Sequence, residues 1–127
     1  MTDRKNLASG VKFESIVGYS RAVRVGNQIF VSGTTGVDYD GSDNKADPYL
    51  QAKTAIGKID SALVKLGSSL SDVVRTRVFI GQSVDWQLVA KAHLEAFGSV
   101  MPASTMISTG FLDPRILVEI EADAVTS

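Results

Sequence analysis

The sequence predicts an α+β two-layer sandwich, a mixed β-sheet with two helices on one face, and three observations predict it. Residues 116–125 alternate strictly. Ile116, Val118, Ile120, Ala122 and Ala124 fall on one face of a strand, and Leu117, Glu119, Glu121 and Asp123 on the other, because successive strand side chains point to opposite faces. Residues 73–80 (VVRTRVFI) place Arg75 and Arg77 at i and i+2, matching that acidic ladder in spacing and opposing it in sign. Two further stretches, each closed by a glycine, repeat apolar residues at helical spacing.

The elements follow in order. Residues 1–17 have no clear period and read as a tail or an edge segment. Tyr19–Val25 and Gln28–Gly33 form a hairpin about Gly26-Asn27, since Gly and Asn tolerate positive φ. Thr34–Asp47, polar and glycine-containing, reads as a surface loop. The first helix is capped by Asp47, with Pro48 in its first turn. Its stripe is Ile56, Ile59, Leu63 and Leu66, and Gly67 stands just past its end. The strand over Val73–Ile80 is expected to neighbour the last strand, with Arg75 and Arg77 close to Glu119, Glu121 or Asp123, because neighbouring strands pair opposite charges across the ladder. The second helix spans Val84–Phe97 with Ser83 as its cap, and Trp86, Val89, Ala90, His93 and Phe97 form its stripe. His93, the one histidine, reads as a core residue whose nitrogens find partners, not as an acid or base. Gly98 ends this helix and Pro102 opens the next strand.

At 127 residues the chain is read as one domain, residues 1–127, large enough to bury roughly two thirds of its unfolded surface. With no cysteine, disulfides, thiol catalysis and cysteine-ligated zinc are excluded. Charged residues near the start and no apolar run argue against a signal peptide or a membrane partner, and the expected location is cytoplasmic. A net charge of −1 and a pI of about 5.7 give a phosphate backbone no general foothold, so nucleic acid is not an expected partner. Asp38, Asp40 and Asp43 suggest calcium, but the sixth and twelfth positions counted from Asp38 are Asp43 and Tyr49, where an EF-hand loop needs Gly and Glu. No metal is expected. Helices on one face leave the other, charged face bare, and another copy of the chain is its simplest cover.

Gly18-Tyr19-Ser20, Ile29-Phe30-Val31-Ser32-Gly33, Asp72-Val73-Val74-Arg75-Thr76, Phe97, Pro102-Ala103 and Val118-Glu119-Ile120-Glu121-Ala122 come in an order and spacing that resembles the RidA (YjgF) superfamily, the reactive intermediate imine deaminases. The resemblance covers nearly the whole chain after Val17. It implies a chorismate-mutase-like fold and a homotrimer with ligand clefts between subunits. It also implies hydrolysis of imines and enamines such as 2-aminoacrylate to keto acids and ammonia, without metal or organic cofactor. Carried over residue by residue, it gives Tyr19 to line the cleft and Glu119 to position the water as the catalytic pair. Backbone groups of Ser32-Gly33 contribute, followed here by Thr34-Thr35.

The chain departs from the family at the position after Pro-Ala. The resemblance expects an arginine there, to hold the substrate carboxylate, and this chain has Ser104, placing it in a subgroup lacking that arginine. A guanidinium grips a carboxylate with two charge-assisted hydrogen bonds, whereas serine offers one neutral hydroxyl. Three readings are open. Arg21 or Arg115 supplies the cation. Or the ligand lacks a carboxylate, and Ser104, Thr105, Thr34, Thr35 and Tyr19 form a neutral polar cleft with Glu119 as general base. Or the cleft binds a small molecule without chemistry, in a regulatory trimer. RNA cleavage or translation inhibition, which older family names suggest, fits the acidic pI least.

Overall fold

The computed structural model describes residues 3–38 and 46–127. Its strands are β1 (Arg4–Leu7), β2 (Ala22–Val25), β3 (Gln28–Thr35), β4 (Val73–Gly81), β5 (Ala103–Thr109) and β6 (Val118–Val125), and its main helices are α1 (Pro48–Lys65) and α2 (Trp86–Phe97). The strands form one sheet in the order β1-β2-β3-β6-β4-β5. All neighbours are antiparallel except β4 and β5, whose parallel pairing is carried by the α2 crossover, as parallel pairing requires. The fold is a mixed six-stranded α+β sheet with both main helices on one face.

The alternation of β6 decides which face is covered. Val118, Ile120, Ala122 and Ala124 are buried under the helices. They pack with Ile29 and Val31 of β3, Val78 and Ile80 of β4, the α1 stripe Ala52, Ala55, Ile56, Ile59 and Leu63, and Val89 and Phe97 of α2. The opposite strand face carries Glu119, Glu121 and Asp123, and β4 lies beside β6. Arg77 reaches both Glu121 (3.2 Å) and Asp123 (3.3 Å). Arg75 stands opposite Asp123 in register, while Glu119 stands opposite Phe79. These charges are partly exposed, so each pair contributes at most about 1 kcal/mol. Their larger consequence is that Glu119 is left outside the ion-pair ladder.

Helix α1 begins as the sequence reads. Asp47 accepts from the backbone N–H of Leu50 at 3.1 Å, Pro48 stands at the first helical position, and Gly67 follows the C-cap with φ +83°. Other boundaries differ. β2 starts at Ala22, not Tyr19, and β3 runs on to Thr35. The period-free start supplies β1 on the sheet edge and a π-helical turn over Glu14–Gly18. Asp85, not Ser83, caps α2 by accepting from Gln87 N–H at 3.0 Å. Trp86, read as part of the buried stripe, is instead the first residue of α2 and is 56 % exposed. Of the three aspartates weighed for calcium, Asp38 pairs with Lys58 at 3.1 Å, and Asp40 and Asp43 lie outside the described residues. Among the described residues no group of three or more His, Asp or Glu side chains converges, and no helix is long and apolar enough to cross a membrane.

One irregularity shapes the site. β3 and β6 pair Val31 with Ala122 but Thr34 with Ile120. Ser32 and Gly33 therefore both stand opposite Glu121, which is a β-bulge.

Candidate active site

An open groove of about 1420 Å³ runs along the bulged end of β3. One wall is the segment from Leu7 to Tyr19. The other is formed by Lys58 of α1 and residues 111–116, and Arg21, Gly33 and Glu119 form the floor. The first wall is folded around Glu14, which is buried and accepts from Ser9 N–H at 3.1 Å and from the Ser9 hydroxyl. The second is tied to α1 by the buried side chain of Gln51. Its Nε2 donates to Arg115 O at 3.0 Å and its Oε1 accepts from Leu117 N–H at 2.9 Å.

Glu119 lies against Gly33. A Cβ built on Gly33 would stand 3.0 Å from the Glu119 Cδ and closer still to Oε2, so only glycine admits the carboxylate here without a shift. Burial pushes the Glu119 carboxyl above the ordinary carboxylate range. The Arg21 charge opposes this shift and Glu121 adds to it. Among the described residues no ion pair holds this carboxylate. It is thus a half-buried carboxylate with raised proton affinity at the floor of a groove, a combination that marks candidate acid–base groups.

Arg21 shares the floor. Its Nη2 donates to Gly33 O at 2.6 Å, and its enclosed Nε has no partner. Burial lowers its proton affinity, against the pull of Tyr19, Glu14 and Glu119. Arg115 also lines the groove, but its guanidinium forks onto Asp113, with Nη2–Oδ2 at 2.7 Å and Nε–Oδ1 at 3.1 Å. The same pair holds the Asp113 carboxyl below its usual value.

The structure thus brings together Tyr19, Arg21, Gly33, Arg115 and Glu119. The backbone of Thr34 lies here too, but its side chain is 1 % exposed and its hydroxyl donates to Ser32 O at 2.7 Å. The Ser32 hydroxyl donates to Ser20 O at 2.6 Å. Ser104 and Thr105 are elsewhere in the chain, on edge strand β5. Thr105 is opposite Arg77 on the helix-free face, whereas Ser104 is opposite Thr76 on the helix side. Lys58, not among the candidates named from the sequence, stands in the groove wall and donates to Thr35 O at 3.0 Å. Its signal was only its turn position on α1 relative to the end of β3.

Ser104, exposed on β5, ends a polar chain that runs in through the buried Thr76 to the half-buried His93. The fully buried Thr76 hydroxyl donates to Ser104 Oγ at 2.8 Å and lies 2.8 Å from His93 Nε2. The remaining ring face of His93 packs on Phe97, with centroids 4.7 Å apart. With Thr76 donating to Ser104, the neutral ring with a proton on Nε2 completes the chain. Burial holds His93 below the ordinary histidine value. The folded state therefore binds this proton less readily than the unfolded chain. Its stabilising effect is complete above the unfolded value of about 6.5 and is lost as pH falls through that value toward the folded one. The melting temperature is expected to drop as pH falls below about 6.5, and His93→Gln is expected to flatten that part of the profile.

A mixed sheet with two helices on one face, and a groove floored by a half-buried glutamate, an arginine and a strand-end glycine, define a small α+β protein with a charged groove at a bulged strand end. The comparisons agree on its kinship. Residues 9–126 match the family model described as Endoribonuclease L-PSP. The chain belongs to this family, the YjgF/RidA family. A Mycobacterium tuberculosis member of the YjgF/YER057c/UK114 family superposes with a TM-score of 0.87 at 41% identity, covering 98% of this chain and 100% of the other. An uncharacterised Streptomyces coelicolor protein is 38% identical over 94% of this chain and 90% of its own length. The 2-iminobutanoate/2-iminopropanoate deaminase of Escherichia coli is 29% identical over 95% of this chain and 97% of its own.

Proposed function

We propose that the groove is the ligand site of an atypical imine or enamine deaminase in which Glu119 positions and deprotonates water. The observation that carries this reading is the seating of the raised Glu119 carboxyl against Gly33, beside Arg21 and Tyr19. In the reaction, water adds to the C=N carbon as Glu119 takes one of its protons and passes it to nitrogen, giving a neutral carbinolamine. Glu119 then takes the hydroxyl proton and delivers it to the same nitrogen as the C–N bond breaks and the C=O bond forms, releasing ammonia and the carbonyl product. The apolar wall, with Phe13, Ile16, Val17 and Leu112 exposed, suits closure by a neighbouring copy. The helix-free sheet face, where Phe30, Ile107 and Val125 are exposed, suits the same cover. A homotrimer with Thr105 at the contact is the assembly proposed, checked by its mass in solution.

A non-catalytic ligand-binding trimer is the second reading. The exposed Ser104 favours it, because a neutral hydroxyl stands where the family pattern has a carboxylate-holding arginine. The test is hydrolysis of enzymatically generated 2-aminoacrylate by the native protein beside Ser104→Arg. Native turnover supports the deaminase and shows that a cation other than residue 104 serves it. Turnover by the variant alone indicates a ligand of different shape, and turnover by neither moves the binding protein ahead. Nuclease action is the reading least suited to the acidic ladder on β6, and steeply salt-dependent RNA binding is the result that would revive it.

A further inference from the structure

We propose that Arg21 is the anion-holding residue of the groove, so that the ligand carries a carboxylate and seats it at the bulged end of β3, not at residue 104. The inference rests on the reading of this groove as the ligand site, and it names the ligand's class and orientation.

The groove's cations differ in what already neutralises them. Arg115 is forked onto Asp113. Lys58 is paired with Asp38 and also donates to Thr35 O and Val37 O. Lys12 and Lys65 are exposed, where water solvates an ammonium. Arg21 is half-buried and, among the described residues, has no carboxylate in ion-pair contact. A guanidinium has five N–H donors, and Gly33 O is the one acceptor it meets among the described residues. A buried charge left without a counter-ion is costly. Neither Glu14 nor Glu119, the two carboxylates whose charges it feels, closes an ion pair on it.

The position of the one bond adds direction. Gly33 O stands at the strand end where a ligand N–H would find an acceptor, but Arg21 already donates to it. The strand end therefore presents positive charge, and the ligand group that matches is an acceptor carrying negative charge. The Glu119 carboxylate also stands against Gly33, where a Cβ would be. A ligand anchored by its carboxylate at Arg21 places the adjacent carbon toward Glu119, which is the geometry a 2-imino acid needs for water attack.

The test compares pyruvate with pyruvamide, which differ in the charged group alone, by titration of the native protein and of Arg21→Gln and Arg21→Lys. Charge-assisted contacts predict that the native protein binds pyruvate about tenfold to a hundredfold more tightly than pyruvamide. Arg21→Gln should lose that preference, and Arg21→Lys should keep part of it. A native protein without the preference, or an Arg21→Gln protein that melts normally and retains it, overturns the proposal. Should Arg21→Gln fail to fold, the ¹⁵N–¹H resonance of Arg21 Nε in the native protein decides. It should move with pyruvate and not with pyruvamide, and an unmoved resonance overturns the proposal. The two readings fail separately. Carboxylate preference through Arg21 without imine hydrolysis leaves the anion site and removes the catalyst. Imine hydrolysis with KM unchanged in Arg21→Gln leaves the catalyst and removes the anion site.

Discussion

Glu119→Gln is expected to lower kcat for imine hydrolysis by about 10²- to 10⁴-fold, the range a positioned general base contributes, with a much smaller change in pyruvate binding. The amide keeps the shape of the carboxylate but cannot take the proton from water. The pH profile provides the sharper check. Burial raises the proton affinity of Glu119, and the active form of a base is the deprotonated one. Activity should fall as pH drops through a limb lying above the ordinary carboxylate range, and the residual activity of Glu119→Gln should lack that limb. Stability moves the opposite way. A carboxyl whose folded value is raised stabilises the fold below its unfolded value and loses that contribution as pH rises through the folded one. At neutral pH the variant should therefore melt somewhat higher than the native protein. A variant with native kcat would remove Glu119 from the chemistry.

Gly33→Ala is expected to reduce kcat/KM about a hundredfold, the cost of displacing a reacting group by about 1 Å, while the melting temperature moves little. The three atoms nearest the added methyl all belong to the Glu119 side chain, so the carboxylate yields before the strand does. Gly36→Ala makes the instructive contrast. Its Cβ would meet the backbone of Gln51, with Cα at 2.6 Å, which cannot swing aside. That substitution should lower stability, by about 1–3 kcal/mol or more. Thermal melts and steady-state kinetics on the two variants separate a glycine kept for the site from one kept for the fold.

The main lines of the fold were legible because they rest on periodicity. Strict alternation in β6 named its buried face, and the charge match between Arg77 and the acidic ladder named its neighbour. Asp47-Pro48 and Gly67 marked the ends of α1. What the sequence hid has a physical reason in each case. β1 is four residues on a sheet edge, too short for a period to show. Ser83 and Asp85 are both competent caps, and the choice between them is made by packing of the helix. Arg21 and Arg115 were equal candidates in the sequence, and only the fold, which sets Asp113 on Arg115, tells them apart. Ser104 appeared in the sequence as a missing arginine, and nothing local reported that its hydroxyl would complete a chain with Thr76 and His93.

The bulge at Ser32-Gly33 sets the reading frame of a face. Upstream of it the odd-numbered residues of β3, Ile29 and Val31, look into the core. Downstream it is even-numbered Thr34 that does so. Were these residues paired one to one with β6, Thr34 would stand opposite Glu119 and point into the groove, because a one-residue slip exchanges the two faces of a strand. A one-residue deletion here would remove the bulge and leave Thr34 opposite Ile120, so both faces would be kept and the loss would fall on the seat of Glu119 against Gly33. Relatives aligned with a gap at these two positions should therefore be regarded as having a differently lined cleft, however closely the rest of the sequence agrees.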